Sequence, residues 1–362
     1  MSDAFSILTF DHLELYVGNA KQAAMFYDRG FGFSTIAYRG LDTGERHVAS
    51  YVMQQGEIRL VLTSALNPDH PIASRAAKHG DHVAVIALGV RDVDRAFQVS
   101  TSRGALEAVA PNEEQDEAGK YRYAMIYGYG NTLIKFVQRD RYQGVFAPGF
   151  VPRSIPSRAN AGLIQIDHVV GNVEKGQMNH WVEFFQKTLG LELLVKFDDR
   201  AISTEYSALT SSVMQSSTGR VKLPINEPAI GKGKSQIQEF LEYNYGAGVQ
   251  HVACLTHNIV ETVTKLKHSG IEFLSVPSSY YADLEARVGK IDQSIEQLAQ
   301  LGILVDRDRE GYLLQIFTQP VQDRPTLFFE IIERHGSQGF GEGNFKSLFE
   351  AIEREQLIRG NL

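Results

Sequence analysis

The sequence predicts an α+β protein made of two tandem, open β-barrel-like cups. Three observations carry that reading: the length, an internal repeat, and strands in which single polar side chains interrupt apolar runs. At 362 residues the chain has room for about two domains. Its hydrophobic content of 43% and charged content of 22% are ordinary for a globular chain with a full core.

The repeat sets the order of elements. FDHLELYVGNAKQAAMFYDRGFGF at 10–33 runs parallel to IDHVVGNVEKGQMNHWVEFFQKTLGLELLV at 166–195. Each opens on an Asp-His strand, continues through an amphipathic stretch and closes on a glycine turn. Trp181, Phe184, Phe185 and Leu189 recur at helical spacing. A second pair is DHVAVIALGVRDVDRAFQVSTSRGA at 81–105 and QHVACLTHNIVETVTKLKHSGI at 250–271, a strand that begins at a histidine and a helix that stops near Gly104 or Gly270. The third pair is NTLIKFVQRD at 131–140 and PTLFFEIIER at 325–334, both strand-like. Each unit of about 150 residues thus holds strands and two helices. VPRSIPSRANAG at 151–162 reads as the linker, so the expected domains are 1–155 and 156–362. Beyond the repeat, 278–306 reads as helical, with Leu284, Val288, Ile291, Ile295 and Leu298 on one stripe. The tail 344–356 is a further amphipathic helix, behind the glycine-rich GSQGFGEGN at 336–344.

Composition narrows the function. A net charge of −7 and a pI near 5.9 argue against a nucleic-acid partner, whose phosphates call for a basic excess. The longest apolar runs fall well short of the roughly 20 residues a membrane helix needs. The opening residues lack a basic segment followed by an apolar one, so no secretory signal is expected. The single cysteine, Cys254, allows no intrachain disulfide and fits a cytoplasmic protein.

The repeat also places three polar residues. The second copy carries His168, His251 and Glu330 on its three matching strands. Anchoring the third strand pair on the shared Thr-Leu puts His12, His82 and Phe136 at the corresponding places of the first copy. A lone strand histidine is ordinarily a hydrogen-bonded core residue. A glutamate inside TLFFEIIER is different, because a buried carboxylate costs several kcal/mol unless paired or bound to a metal. Strand alternation puts Phe328 and Glu330 on one face. Two imidazoles and one carboxylate on one sheet form the ligand set of non-haem Fe(II) oxygen chemistry, with three adjacent positions left open. Zinc or manganese suits the same ligands. With one carboxylate the site keeps a charge of +1, which favours an anionic chelating substrate such as a 2-oxo acid. The first copy, without the carboxylate, is expected to be structural.

These residues sit in blocks that resemble the 4-hydroxyphenylpyruvate dioxygenase family, two-domain members of the vicinal oxygen chelate superfamily. The blocks are IDHVVGNV, LPINEP at 223–228, KSQIQEFLEYNYGAGVQHVA at 234–253, GYLLQIFTQP at 311–320, DRPTLFFEIIER at 323–334 and GFGEGNF at 339–345. The resemblance spans essentially the whole chain. It implies two domains of βαβββ modules, with the C-terminal helix over the active site as a lid. It makes His168, His251 and Glu330 the ligands of one Fe(II) per subunit. It also implies substrate contacts at Ser211, Asn226, Gln236, Gln250 and Gln315, and aromatic walls at Phe317 and Phe345 with Phe328, Phe340 and Asn344 nearby. Gln250 directly precedes His251, so a regular strand would point the two to opposite faces.

The implied reaction takes 4-hydroxyphenylpyruvate and O2 to homogentisate and CO2, in tyrosine catabolism. The 2-oxo acid of the substrate removes any need for a separate 2-oxoglutarate. The family resemblance further implies a homodimer or homotetramer. Three alternatives stand beside this reading: 4-hydroxymandelate synthase, with the same ligands and substrate but benzylic hydroxylation; an extradiol ring-cleaving dioxygenase; and a metal-free binding module, which would gain nothing from Glu330.

Overall fold

The computed structural model describes residues 5–157, 160–197, 209–229 and 233–361. The first half forms strands β1 (Ile7–Tyr16), β2 (Ser34–Arg39), β3 (Val48–Gln55), β4 (Ile58–Ala65), β5 (His82–Val90), β6 (Glu107–Asp116), β7 (Gly119–Tyr127), β8 (Leu133–Gln138) and β9 (Val151–Ile155). Helices α1 (Ala20–Phe31), α2 (Pro71–His79) and α3 (Val93–Ser102) lie between them. The second half forms β10 (Leu163–Asn172), β11 (Glu192–Phe197), β12 (Leu209–Gln215), β13 (Lys222–Pro228), β14 (Gly248–Thr256), β15 (Leu304–Arg307), β16 (Tyr312–Phe317) and β17 (Phe328–His335). Its helices are α4 (Met178–Phe184), α5 (Gln236–Tyr243), α6 (Ile259–His268), α7 (Leu284–Val288), α8 (Ile295–Leu301) and α9 (Phe345–Ile358).

The two sheets have the same topology. Read across, the first runs β6-β7-β8-β5-β1-β4-β3-β2 and the second β15-β16-β17-β14-β10-β13-β12-β11, with β9 added at the edge of the first. This is the expected α+β pair of cups. The local signals also repeat. Asn19, Asp92 and Asn258 cap α1, α3 and α6 by accepting a backbone N–H three residues on. At the end of α1, Gly32 takes φ +79°, a left-handed turn that suits glycine.

The halves share one apolar core. Phe329, on the outer face of β17, packs its ring 4.9 Å from Phe31 and 5.9 Å from Tyr27 of α1. A Cβ at Gly171 would lie 2.4 Å from the Tyr129 ring of the first half, so only glycine lets the two halves close there. Because Phe329 faces this core, Phe328 and Glu330 on either side of it face the cup.

Strand register corrects the expected match between copies. His12 pairs with Ala87 and Ala87 with Lys135; His168 pairs with Ala253 and Ala253 with Glu330. Glu14 stands opposite Val85 as Val170 stands opposite His251. The first-copy counterparts of His251 and Glu330 are therefore Val85 and Lys135, not His82 and Phe136. Anchoring on Thr-Leu slips the third strand by one residue, and one residue exchanges the faces of a strand. His82 lies three residues before Val85, beside the Tyr16 ring.

Three further expectations change. The linker begins as a strand, since β9 pairs with β2, while Arg158 and Ala159 lie outside the described residues. The 278–306 segment is not one helix. Gly289, with φ +69°, separates α7 from α8, and the segment ends in β15. Each copy also gains a helix beyond the two expected, α2 and α5. Among the described residues, no helix is long and apolar enough to cross a membrane.

Candidate active site

Two cross-strand rows build the site. His168, Ala253, Glu330 and Phe317 lie side by side across β10, β14, β17 and β16. Val170, His251 and Phe328 form the neighbouring row. Paired residues share a face, so His168, His251 and Glu330 converge in the cup, and the small Ala253 leaves the space between them open. The three ligand atoms lie within 4.8 Å of one another, and all three residues are buried. Glu330 Oε2 is 3.2 Å from His168 Nε2 and 3.4 Å from His251 Nε2. Ligand atoms about 2.1 Å from an ion and at right angles to one another lie about 3 Å apart, so this spacing suits a divalent metal.

Each imidazole is aimed by a bond from its other nitrogen. His168 Nδ1 donates to Asp167 Oδ2 at 2.7 Å, and His251 Nδ1 donates to Gln250 Oε1 at 3.0 Å. Both nitrogens marked Nε2 are thereby left facing Glu330, as metal-ligating histidines require. Arg334 fixes Asp167 in turn: its Nε and Nη2 donate to the two carboxylate oxygens, each at 2.8 Å. Its Nη1 donates to the Gly339 carbonyl at 2.7 Å, tying this relay to the turn before α9.

The sequence makes this possible through β-bulges. Ile166 pairs with Cys254 and His168 with Ala253, which leaves Asp167 without a partner on β14. Val170 pairs with His251 and Gly171 with Val249, which leaves Gln250 without one on β10. An extra residue breaks the pleat alternation, so neighbours in sequence reach the same side. That is how Gln250 and His251 both line the cavity despite their adjacency.

Electrostatics follow from burial and these contacts. Burial raises the carboxyl of Glu330, but the charge and hydrogen bonds of His168 and the bond from His251 outweigh it and hold the group at about 2. Asp167 is held well below the usual carboxylate range: the Arg334 and His168 bonds overcome burial. Burial lowers His251 and keeps it neutral, as a metal ligand must be. Burial lowers His168 too, but the charge of Glu330 and the bonds to Asp167 and Glu330 outweigh it and raise the group, so a divalent first-row metal bound by this carboxylate and two imidazoles would displace a proton from His168.

The donor set opens into a cavity whose empty space, counted out to where it meets open solvent, is about 580 Å³. Among the expected substrate residues, Ser211, Asn226, Gln236, Gln250, Phe317, Phe328, Phe340 and Phe345 line it. Ser211 and Asn226 are cross-strand partners on β12 and β13, and Gln236 opens α5 behind its Ser235 cap. Gln315 and Asn344 do not line the cavity. Both are buried; among the described residues the Gln315 amide has no hydrogen-bond partner, and Asn344 Oδ1 accepts from Tyr280 Oη at 2.6 Å. Phe197, Leu209 and Val213 add apolar wall, and Leu348 and Phe349 of α9 close it from above. Sequence reasoning missed the wall residues and the roles of Asp167 and Arg334. Their only signal is the Asp-His pair with an arginine ending the third strand in both copies.

A duplicated cup with a buried His-His-Glu set that could hold a metal ion defines an enzyme of the vicinal oxygen chelate type. Residues 9–130 and 165–316 match the Glyoxalase/Bleomycin resistance protein/Dioxygenase superfamily. A 4-hydroxyphenylpyruvate dioxygenase from Yarrowia lipolytica is 45% identical over 98% of this chain and 93% of its own. One from Danio rerio is 46% identical over 98% and 92%. In structure, a triple mutant of 4-hydroxymandelate synthase from Streptomyces coelicolor superposes with a TM-score of 0.85 at 32% identity, covering 97% of this chain and 99% of that one. The chain belongs to the 4-hydroxyphenylpyruvate dioxygenase family, and is an oxidoreductase.

Proposed function

We propose that this protein is an Fe(II)-dependent dioxygenase that converts 4-hydroxyphenylpyruvate and O2 to homogentisate and CO2 in tyrosine catabolism. The observation that carries it is a His-His-Glu donor set at the base of an aromatic and amide-lined cavity, in a chain 45–46% identical to the two relatives above. His168, His251 and Glu330 would hold one Fe(II), which supplies the oxygen chemistry when bound. With Asp167 neutralised by Arg334, the site keeps a charge of +1 that favours an anionic 2-oxo acid.

The protein's own residues bind and orient. Phe317, Phe328, Phe340 and Phe345 offer apolar faces to a phenyl ring. Ser211, Asn226, Gln236 and Gln250 offer hydrogen bonds to its polar ends. Gln315 shares the cup-facing side of β16 with Phe317, two residues on, and its buried amide, without a partner among the described residues, stays available to a polar group. Leu348 and Phe349 of α9 exclude water from the reacting centre. Residues 1–155 would serve structure and self-association in a cytoplasmic homodimer or homotetramer, and 156–362 catalysis.

The 32% identical synthase keeps benzylic hydroxylation as the second reading. Product analysis after incubation with Fe(II), O2 and 4-hydroxyphenylpyruvate decides. Homogentisate is expected, 4-hydroxymandelate would favour the second reading, and no oxygen uptake would refute both.

A further inference from the structure

Gln250 occupies a position where a substrate contact alone does not account for its geometry. It is the bulged residue of β14, it is 6% exposed, and its amide oxygen accepts from His251 Nδ1 at 3.0 Å. The same arrangement recurs one strand away. There Asp167 is the bulged residue of β10 and accepts from His168 Nδ1 at 2.7 Å. Each bulge thus delivers an acceptor to the outer nitrogen of the histidine that follows it.

The first half shows that both bulges belong to the fold, whereas the amide at the second of them does not. Its β1 keeps the bulge at Asp11, and Asp11 Oδ1 lies 2.5 Å from His12 Nδ1. Its β5 keeps a bulge too, because Glu14 pairs with Val85 and Leu15 with Val83, leaving Ala84 out. In the counterpart positions the second half carries Gln250 and His251. The amide therefore stands only where there is an imidazole to hold.

We infer that Gln250 is a positioning residue for His251: its carbonyl fixes the proton on Nδ1 and aims Nε2 at the point shared with His168 and Glu330. Because it is an amide and not a second carboxylate, it does so without cancelling the positive charge that favours an anionic substrate. This rests on the metal-site reading above and adds a role toward the metal that precedes any contact with substrate.

The test measures metal affinity without substrate, by anaerobic calorimetry with Fe(II) and with Co(II), whose visible absorption also reports ligand geometry. Gln250→Leu removes the acceptor and is expected to weaken both metals 10- to 100-fold and to change the Co(II) spectrum. Gln250→Glu restores an acceptor of the same reach. It is expected to bind metal at least as tightly as the natural protein, while KM for the anionic 2-oxo acid rises. Wild-type metal affinity in Gln250→Leu overturns the inference while leaving the proposed function standing, and so does a tenfold loss in Gln250→Glu, which stays informative should the leucine variant fail to fold. Failure of the natural protein to take up metal overturns the proposed function, and this inference with it.

Discussion

Replacing Arg334 by leucine tests the relay behind His168, and the duplicated fold supplies its own control. Arg334 forks onto Asp167 with two bonds of 2.8 Å, and Arg139 forks onto Asp11 with bonds of 2.6 and 2.9 Å. Both aspartates contact the Nδ1 of the histidine that follows. Removing one partner of a buried ion pair costs about 3–5 kcal/mol, and about 3 kcal/mol is expected here because Arg334 and Arg139 remain 13% and 22% exposed. The stability cost should be similar for Arg334→Leu and Arg139→Leu. Only Arg334→Leu should loosen a metal ligand, with a loss of about 10- to 100-fold, or ~1.4–2.8 kcal/mol, in metal affinity. Urea unfolding of the metal-free variants gives the first quantity and anaerobic Co(II) titration the second. Equal loss of metal affinity in both variants would refute the argument, since affinity would then follow general stability. Wild-type affinity in Arg334→Leu would refute it as well.

Glu330→Ala should abolish turnover and most of the metal affinity; retained oxygen uptake with 4-hydroxyphenylpyruvate would reject the ligand set. His12→Ala and His82→Ala should bind metal as the natural protein does, at a stability cost of about 1–3 kcal/mol seen in urea, because each empties a packed site and removes a hydrogen bond, to Asp11 and to the Gly80 carbonyl respectively. Against burial, which raises it, the His12 and Arg139 bonds hold Asp11 below the ordinary carboxylate range. Its contribution to stability is therefore complete above about pH 4 and is lost as pH falls toward the folded value; Asp11→Asn should flatten that acid limb in a pH series of unfolding midpoints. Trimming 341–362 removes the wall that Phe345, Leu348 and Phe349 give the cavity, so oxygen uptake should outrun product formation; tight coupling after trimming would count against α9 as a lid.

His168, His251 and Glu330 were legible in the sequence because each breaks an apolar run, and burial makes such a break costly. The capped helices α1, α3 and α6 were legible for similarly local reasons. Bulges were not. An extra residue in a strand is defined only against its partner, so neither Asp167 nor Gln250 announces that it will turn toward the side chain after it. Register fails for the same reason: Thr132-Leu133 and Thr326-Leu327 look equivalent in sequence, yet Lys135 and Glu330 are the residues opposite Ala87 and Ala253. The apolar stripe of 278–306 survives in part, with Leu284, Val288 and Leu298 buried. Periodicity did not reveal that Gly289 breaks it. Helix α2 escaped notice because its signals, His70 as cap and Pro71 as first residue, sit in a stretch that otherwise reads as a turn.

The corrected register changes what the first half says about the second. The Arg-Asp-His relay is common to both, so it belongs to the fold, and the site was made by what stands around it. Where the second half has His251 and Glu330, the first has Val85 and Lys135. Lysine at that place does more than omit a ligand: its ammonium lies 4.5 Å over the Tyr123 ring and brings a positive charge to the half that holds His12, where it disfavours a second cation. The space is also closed. Phe146 packs 5.1 Å from the His12 ring, and Phe340 packs 5.2 Å from His168, but Phe340 lines an open cavity while Phe146 sits in a core with Tyr121 and Tyr142. His12 keeps its aspartate and arginine because, buried at 1% exposure, it needs them to fold, whether or not a metal ever reaches it.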